Sequence, residues 1–416
     1  MTTRPERARL GRALGRNRRR RAGIIQLFYV ISAVVLALVV PSIPIGFTVP
    51  SSRAAELLVA IGAGTITVIA VVYSLLFLVV QFGSTTFTPR LNLFRDAPII
   101  PHSFGFFTAI ATFSLTCLFT IGQDGNTSGL VPIVAIVGLL AGIALFRVLQ
   151  GEAFASIQLA TALEQVTSRG RETLDELYLE EFGARQARDE VTGAHELRWP
   201  NQDAVLQVID VPRVLDVAAQ SDAVVDFQVG TGDTIRQDGV VALLHGPIDD
   251  TLDDEILRAL DVGRERTFEQ DPLWALRILA DIALRALSPA LNDPTSAVQA
   301  LDGIDALLRR LATRKLDLGK ITDSDGNVRV LLVLPTWDDC LAVGLDEIIG
   351  ASRQSPNVRG RVAELLRDLL SIAPDVRHPP VQARLTQVLS VETPLDCNEG
   401  SERGSRGGEL TTKGPR

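Results

Sequence analysis

Cysteine and histidine are scarce in this sequence, at three and four of 416 residues. Cys117, Cys340 and Cys397 form no evenly spaced set, so a disulfide scaffold is not expected and reduced thiols are the plain reading. His102, His195, His245 and His378 are scattered, and neither HExxH nor CxxC occurs, so no metal site is expected. The Gly-x-Ser-x-Gly elbow of many hydrolases and the phosphate-binding P-loop are also missing. No cofactor is called for. Net charge is -8, although Arg4, Arg7, Arg9, Arg12, Arg16, Arg18, Arg19, Arg20 and Arg21 crowd the first 23 residues. The remainder is therefore more acidic than the total. A nucleic-acid partner would need a basic face, and none is expected.

What the chain has in quantity is apolar sequence, concentrated before residue 150. A helix crossing the ~30 Å hydrocarbon core needs about 20 apolar residues. Ile24–Gly46, Ala54–Phe82, Ser103–Gly122 and Gly129–Gln150 meet that length, with Arg147 placed to snorkel at the end of the fourth. The arginine-rich start lies before the first run. Arg90 and Arg95 lie between the second and third, and Gln123–Ser128 has no cation. The positive-inside rule then puts both termini in the cytoplasm of a multi-pass protein whose first partner is the lipid bilayer. The first run is long for a signal peptide and no small-x-small cleavage site follows, so it is read as an uncleaved span. The glycosylation-like triplet Asn126-Thr-Ser sits in a short loop and is read as chance.

No charged residue falls in the middle of a span, where ion-coupled pumps and proton relays place theirs. Hydroxyls are present instead. Thr108, Thr112 and Thr116 recur at spacing four and share one helix face, giving two readings: interhelical hydrogen bonding or a pore lining. Gly138-Leu-Leu-Ala-Gly142 permits close helix packing. Gln81 to Leu91 reads as an amphiphilic exit from the bilayer, with a break at Pro89.

Beyond residue 150 the spacing predicts a continuous helical stalk over 151–190. A small β subdomain over 195–250 follows. Gly230, Gly232 and Asp238-Gly239 punctuate it into strands in a barrel-like pattern similar to biotinyl and lipoyl modules, but no Lys stands at a turn to carry a prosthetic group. Residues 251–392 read as an α+β helical subdomain, and 393–416 as a disordered tail. Asp271-Pro272 and Asn292-Asp293-Pro294 each predict a helix start, with Asp as N-cap and Pro in the first turn. The first helix carries the polar stripe Arg277, Asp281, Arg285 and Ser288 on a mostly apolar surface. Together with Arg266, Gln270, Asp271, Asn292, Asp293 and Thr295 the stripe forms a candidate polar network. It is either a structural ion-pair network or an anion site. Asp325-Gly326 predicts a hairpin between Lys320–Thr322 and Val328–Val333. The acids around it lack the Gly and Glu spacing of a calcium loop. Asp338 and Asp339 are expected to cap a helix over Cys340–Ile349.

Phe87-Thr-Pro-Arg-Leu, Arg266-Thr267, Gln270-Asp-Pro and Ala286-Leu-Ser-Pro-Ala-Leu-Asn-Asp-Pro-Thr-Ser-Ala resemble the DUF2254 family of predicted bacterial membrane proteins, over roughly residues 20 to 390. Thr88 departs from the Ser of the family's pattern. The resemblance supports the topology and supplies no reaction. The fold expected is a membrane all-α bundle of four transmembrane helices over 24–150, followed by a cytoplasmic α+β domain. Three functions compete: a homo-oligomeric inner-membrane pore or regulator with a sensing domain, a membrane-anchored enzyme acting on an anionic substrate at the polar network, and a scaffold for protein partners. The first is preferred, no catalytic residue is assigned, and the ion or small-molecule ligand is left open.

Overall fold

The computed structural model describes residues 18–43, 47–86, 99–121, 125–178, 195–247, 250–316 and 319–390. The first 17 residues, the 87–91 motif and the tail from 391 lie outside the described residues. Four helices come first: α1 (Arg18–Val39), α2 (Ser51–Thr86), α3 (Ile99–Thr120) and α4 (Leu130–Ile157). Each contains an apolar stretch of 20 to 29 residues. At ~1.5 Å per residue that crosses a bilayer's hydrocarbon. Large apolar side chains such as Phe28, Phe77, Phe119 and Leu140 point outward, an arrangement suited to lipid.

Lipid is as apolar as leucine, so close packing rather than the hydrophobic effect must hold these helices together. α3 is the helix around which the others pack. The Cys117 thiol approaches the Ala37 carbonyl of α1 at 3.7 Å, and Tyr73 of α2 packs on Phe104 with ring centroids 4.4 Å apart. Small residues sit at the crossings. A Cβ at Gly62 would meet that of Ser114 at 3.3 Å, and one at Gly142 would meet Ile110 at 3.2 Å. The α1–α2 and α3–α4 connections lie at one end of the bundle. There β1 (Thr48–Pro50) pairs antiparallel with β2 (Asn126–Ser128), and the Ser128 hydroxyl donates to the Ile43 carbonyl at 2.7 Å. At the other end Val79 of α2 and Ala153 of α4 are buried in one small cluster.

The predicted continuous stalk is interrupted. Gln158 adopts an extended backbone (φ -80°, ψ 126°), and α5 (Leu159–Leu177) begins after it. The break redirects α5 so that its apolar face, Ala162, Leu163, Val166 and Leu174, joins a helical core instead of standing free. Gly170 lies where a Cβ would reach Ala275 at 2.6 Å, and Gly303 where one would reach the Thr167 hydroxyl at 2.8 Å, so α5 lies close on the helices it crosses. That core also contains α8 (Trp274–Ala286) and α9 (Pro294–Ala312). It is completed by α10 (Trp337–Leu341), α11 (Glu347–Ala351), α12 (Pro356–Ile372) and α13 (His378–Ser390). Leu276, Ile304, Leu308, Leu345 and Leu366 are fully buried in it, each worth about 1.5–3 kcal/mol by transfer.

The strands form open sheets, and the barrel-like expectation is corrected. One sheet has the order β3 (His195–Arg198), β7 (Val240–His245), β5 (Val224–Phe227), β10 (Val328–Leu331), β9 (Lys320–Thr322). A second has β6 (Thr234–Ile235), β4 (Ala204–Ile209) and β8 (Leu260–Gly263). β10 runs parallel to β5, all other pairs are antiparallel, and β3 and β9 remain edges, so the sheet does not close. β8 and β10 follow residue 250 in the chain yet pair with strands that precede it. The expected hairpin forms β9–β10, with Gly326 at φ +85°. α6 (Val211–Gln220) and α7 (Asp250–Arg258) flank the sheets, and Val214, Ala218, Leu252 and Ile256 seal their core.

Candidate functional site

The predicted polar network divides along α8. At its start, Arg266 donates to Asp271 through Nε at 2.5 Å and Nη2 at 2.8 Å, and stacks over the Trp274 ring with 5.1 Å to the centroid. Asp271 is only 3% exposed. Burial raises its pKa above the ordinary carboxylate value, although the Arg266 guanidinium and the Leu273 amide oppose the shift. α8 opens at Trp274, two residues later than the start expected at Pro272. The Asp271 carboxylate still accepts from the amides that lead into it, Leu273 at 3.1 Å and Trp274, while holding Arg266.

The neighbours of this pair come from the sheet region. Gln270 spans β4 twice, accepting from the Ile209 amide at 3.0 Å and donating to its carbonyl at 3.1 Å. The Thr231 hydroxyl donates to the Gln270 carbonyl at 2.6 Å. Gly232, at φ +95°, rests on the ion pair: a Cβ there would lie 2.3 Å from Asp271 Oδ2 and 2.8 Å from Arg266 Nη2. The Gln270-Asp-Pro segment is thus a joint between the sheets and the helical core. Its donors and acceptors are turned toward protein.

Farther along α8, Arg277 pairs with Asp281 at 2.8 Å and with Glu347 of α11. Arg285 lies in the last turn, and its carbonyl accepts from the Ser288 amide. Beyond the helix, Asn292 takes a left-handed backbone (φ +44°). Asp293 caps α9 as expected, accepting from the Ser296 amide at 3.1 Å with Pro294 in the first turn. Asn292, Asp293 and Thr295 are exposed. They lie past the far end of a 13-residue helix from Arg266, about 20 Å away along its axis. One pocket gathering all ten residues is therefore not formed. The capping expectation at Asp338 and Asp339 is also refined: Thr336 is the N-cap, in a capping box with Asp339. The helix then passes through a π turn, Ala342–Asp346, before α11. Cys340 is buried, and its thiol is pushed up to about 12. Among the described residues no group of three or more His, Cys, Asp or Glu converges as a metal would require.

In the bundle, Thr108, Thr112 and Thr116 are half-buried on α3. At ~100° per residue they fall in the sector not used for Ala37, Ser114–Gly62 or Ile110–Gly142. They share it with Leu115, with Phe119, which is 91% exposed, and with Gly105, which is buried against Tyr29 of α1. Nearby hydroxyls bond inside the chain, Thr65 to the Ile61 carbonyl and Thr120 to the Cys117 carbonyl. Among the described residues no partner is found for the three threonines. One feature that sequence reading missed is a concavity between α5 and α9 lined by Arg171, Arg309, Arg310 and Arg314. Its only sequence signal is the basic cluster that ends α9.

The family described as "Predicted membrane protein (DUF2254)" matches residues 19–368. Uncharacterized proteins of Mycobacterium bovis and Mycobacterium tuberculosis are 30% identical to the chain over 331 residues. The alignments cover 74% of this chain and 62% of each relative, so the chain spans less than two thirds of the length of the curated relatives it matches. No solved structure matches.

Proposed function

The chain belongs to the DUF2254 family of predicted membrane proteins, and from that premise we propose an oligomeric inner-membrane protein without catalysis of its own. Its soluble region faces the cytoplasm and regulates either a pore between copies or the membrane part itself. The observation that carries this reading is the threonine face of α3. Three hydroxyls at one helical spacing, half-buried and without a partner among the described residues, would gain one if a second copy or water met them. Orientation is supported by the arginines that open α1, because the positive-inside rule favours such an end in the cytoplasm. The Arg266–Asp271 joint favours mechanical coupling of sheets and helices over a reaction, since both charges are spent on each other.

The test is oxidative cross-linking in native membranes. Thr112→Cys, with Cys117 and Cys397 replaced by Ser, should give disulfide-linked dimers, and Phe77→Cys on the lipid-facing side of α2 should not. Flux through reconstituted liposomes then distinguishes a pore from a regulator. A strictly monomeric protein in detergent that forms no cross-link and passes no ion would end the proposal.

A further inference from the structure

The contacts of α5 with α8 and α9 fix how the three helices run. Gly170 of α5 lies against Ala275 and Leu307, and Gly303 of α9 lies against Thr167 and Leu279. Farther along, Asp175 pairs with Arg310, and the Thr173 hydroxyl donates to the Phe268 carbonyl. α9 thus runs beside α5 in the same direction, and α8 runs in the opposite one. Helices rise equally per residue. Stepping back along each from the meeting of Thr167, Gly303 and Leu279 therefore brings Gln158, Pro294 and Ser288 level. The turn 287–293, which joins α8 to α9, stands beside the start of α5, about 10 Å away at the spacing of packed helices. The apolar stretch of α4 ends just before that point, at Ala155.

The tip of this turn is apolar. Pro289, Ala290 and Leu291 are exposed, and no charged residue stands between Arg285 and Asp293. A single exposed leucine is ordinary, but this one is distinguished by its place. Beyond Gln158 the large apolar side chains exposed among the described residues are Leu291, at 53%, Val376 and Leu389, the last being the least exposed. Val376 adjoins Arg377, whose guanidinium donates to the carbonyls at the opposite end of α9. The turn is also held by its own backbone. The Leu291 and Asn292 amides donate to the Ser288 carbonyl at 3.1 and 2.8 Å, and the Asp293 amide donates to the Ala286 carbonyl at 2.8 Å. Asn292 closes it with a left-handed backbone (φ +44°), a conformation kept only where the surroundings hold it. Those three donors are already paired, so the tip can enter a less polar layer without unpairing them. We propose that this turn is a membrane-contact site, whose Pro289-Ala290-Leu291 tip enters the headgroup–acyl boundary of the bilayer that α4 crosses. Neutral lipid suffices, because the tip carries no cation to select an anionic headgroup. The contact rests on the four spans and is independent of the assembly proposed above.

Cys397→Ser leaves Cys117 and Cys340, both buried, so an added surface cysteine is labelled selectively. Leu291→Cys, Ala290→Cys and Val376→Cys, each in that background, carry an environment-sensitive fluorophore in phosphatidylcholine nanodiscs, with and without doxyl-labelled acyl chains. Emission from positions 290 and 291 should shift to the blue, lose most of its intensity to the doxyl chains and resist iodide. Emission from position 376 should stay red, ignore the doxyl chains and be quenched by iodide. All three positions are exposed, and the two tip variants check each other against a folding defect. Iodide quenching at 290 and 291 as strong as at 376 would mean a solvated turn and overturn the contact. A blue shift without doxyl quenching would mean a protein neighbour in place of lipid and overturn it equally.

Discussion

Arg266 and Asp271 are bonded to each other through two nitrogens and two oxygens, and the backbone of Gly232 lies against both. The contact joins the loop after β5 to the start of α8, so the sheets and the helical core meet over a buried charge pair. Removing one member of such a pair costs more than the pair itself contributes, because the other charge stays buried without its partner.

Gly232→Ala is expected to destabilise the region after residue 158 by about 3 kcal/mol, from left-handed strain plus displacement of the ion pair. Gly326→Ala, also at positive φ but with open space around it, should cost only about 1 kcal/mol. Melting temperatures of the two variants in detergent make the comparison. Equal losses would show that the contact with Arg266 and Asp271 is immaterial.

The raised pKa of Asp271 carries a pH signature. The folded state keeps this proton to higher pH than the unfolded chain. Its stabilising contribution is therefore full below the ordinary value of 3.8 and is lost as pH rises through the raised one. Arg266→Gln removes the main opposing charge, so the loss should extend to higher pH, while Asp271→Asn should abolish it. Urea midpoints measured from about pH 4 upward read both.

Asp323 behaves in the opposite sense. The Arg329 guanidinium, with the Asn327 and Asp325 amides, holds its carboxyl down at about 2. That stability is present above the unfolded value of 3.8 and is lost as pH falls toward 2. Asp323→Asn should flatten this acid limb in a circular-dichroism titration and loosen the β9–β10 hairpin.

Arg377→Ala should cost about 3 kcal/mol or more, because three carbonyls at the end of α9 lose their donor in a dry site and Trp337 loses its cation. Arg377→Lys should recover only part, since an ammonium has no planar fork. Thermal melts in detergent decide between full and partial recovery.

The legible parts of this chain are those governed by near neighbours in sequence. The four apolar runs announced α1 to α4 by length alone. Asp325-Gly326 announced its hairpin, and Asp293-Pro294 its helix start. What escaped depends on distant partners. β10 pairs with β5 across about a hundred residues, and no local pattern selects that neighbour, so the glycine punctuation gave turns without saying whether the sheet closes. Asp271 meets the amides before α8 as a cap would, but its second partner, Arg266, could not be read from spacing. The arginine hollow needs α5 laid on α9, a contact permitted at Gly170 and Gly303 that is invisible until the helices are packed.

The β1–β2 ladder has a mechanical corollary. It laces the two helical hairpins together at the end remote from Gln158, so that end acts as a pivot and any spreading of the helices must grow with distance from it. A tilt of ~5° about the ladder, carried along the roughly 40 Å of α4, displaces the far end by on the order of 3 Å. That far end is Gln158, where the rod is broken and α5 departs into the helical core. Leverage in this molecule is therefore greatest at its hinge.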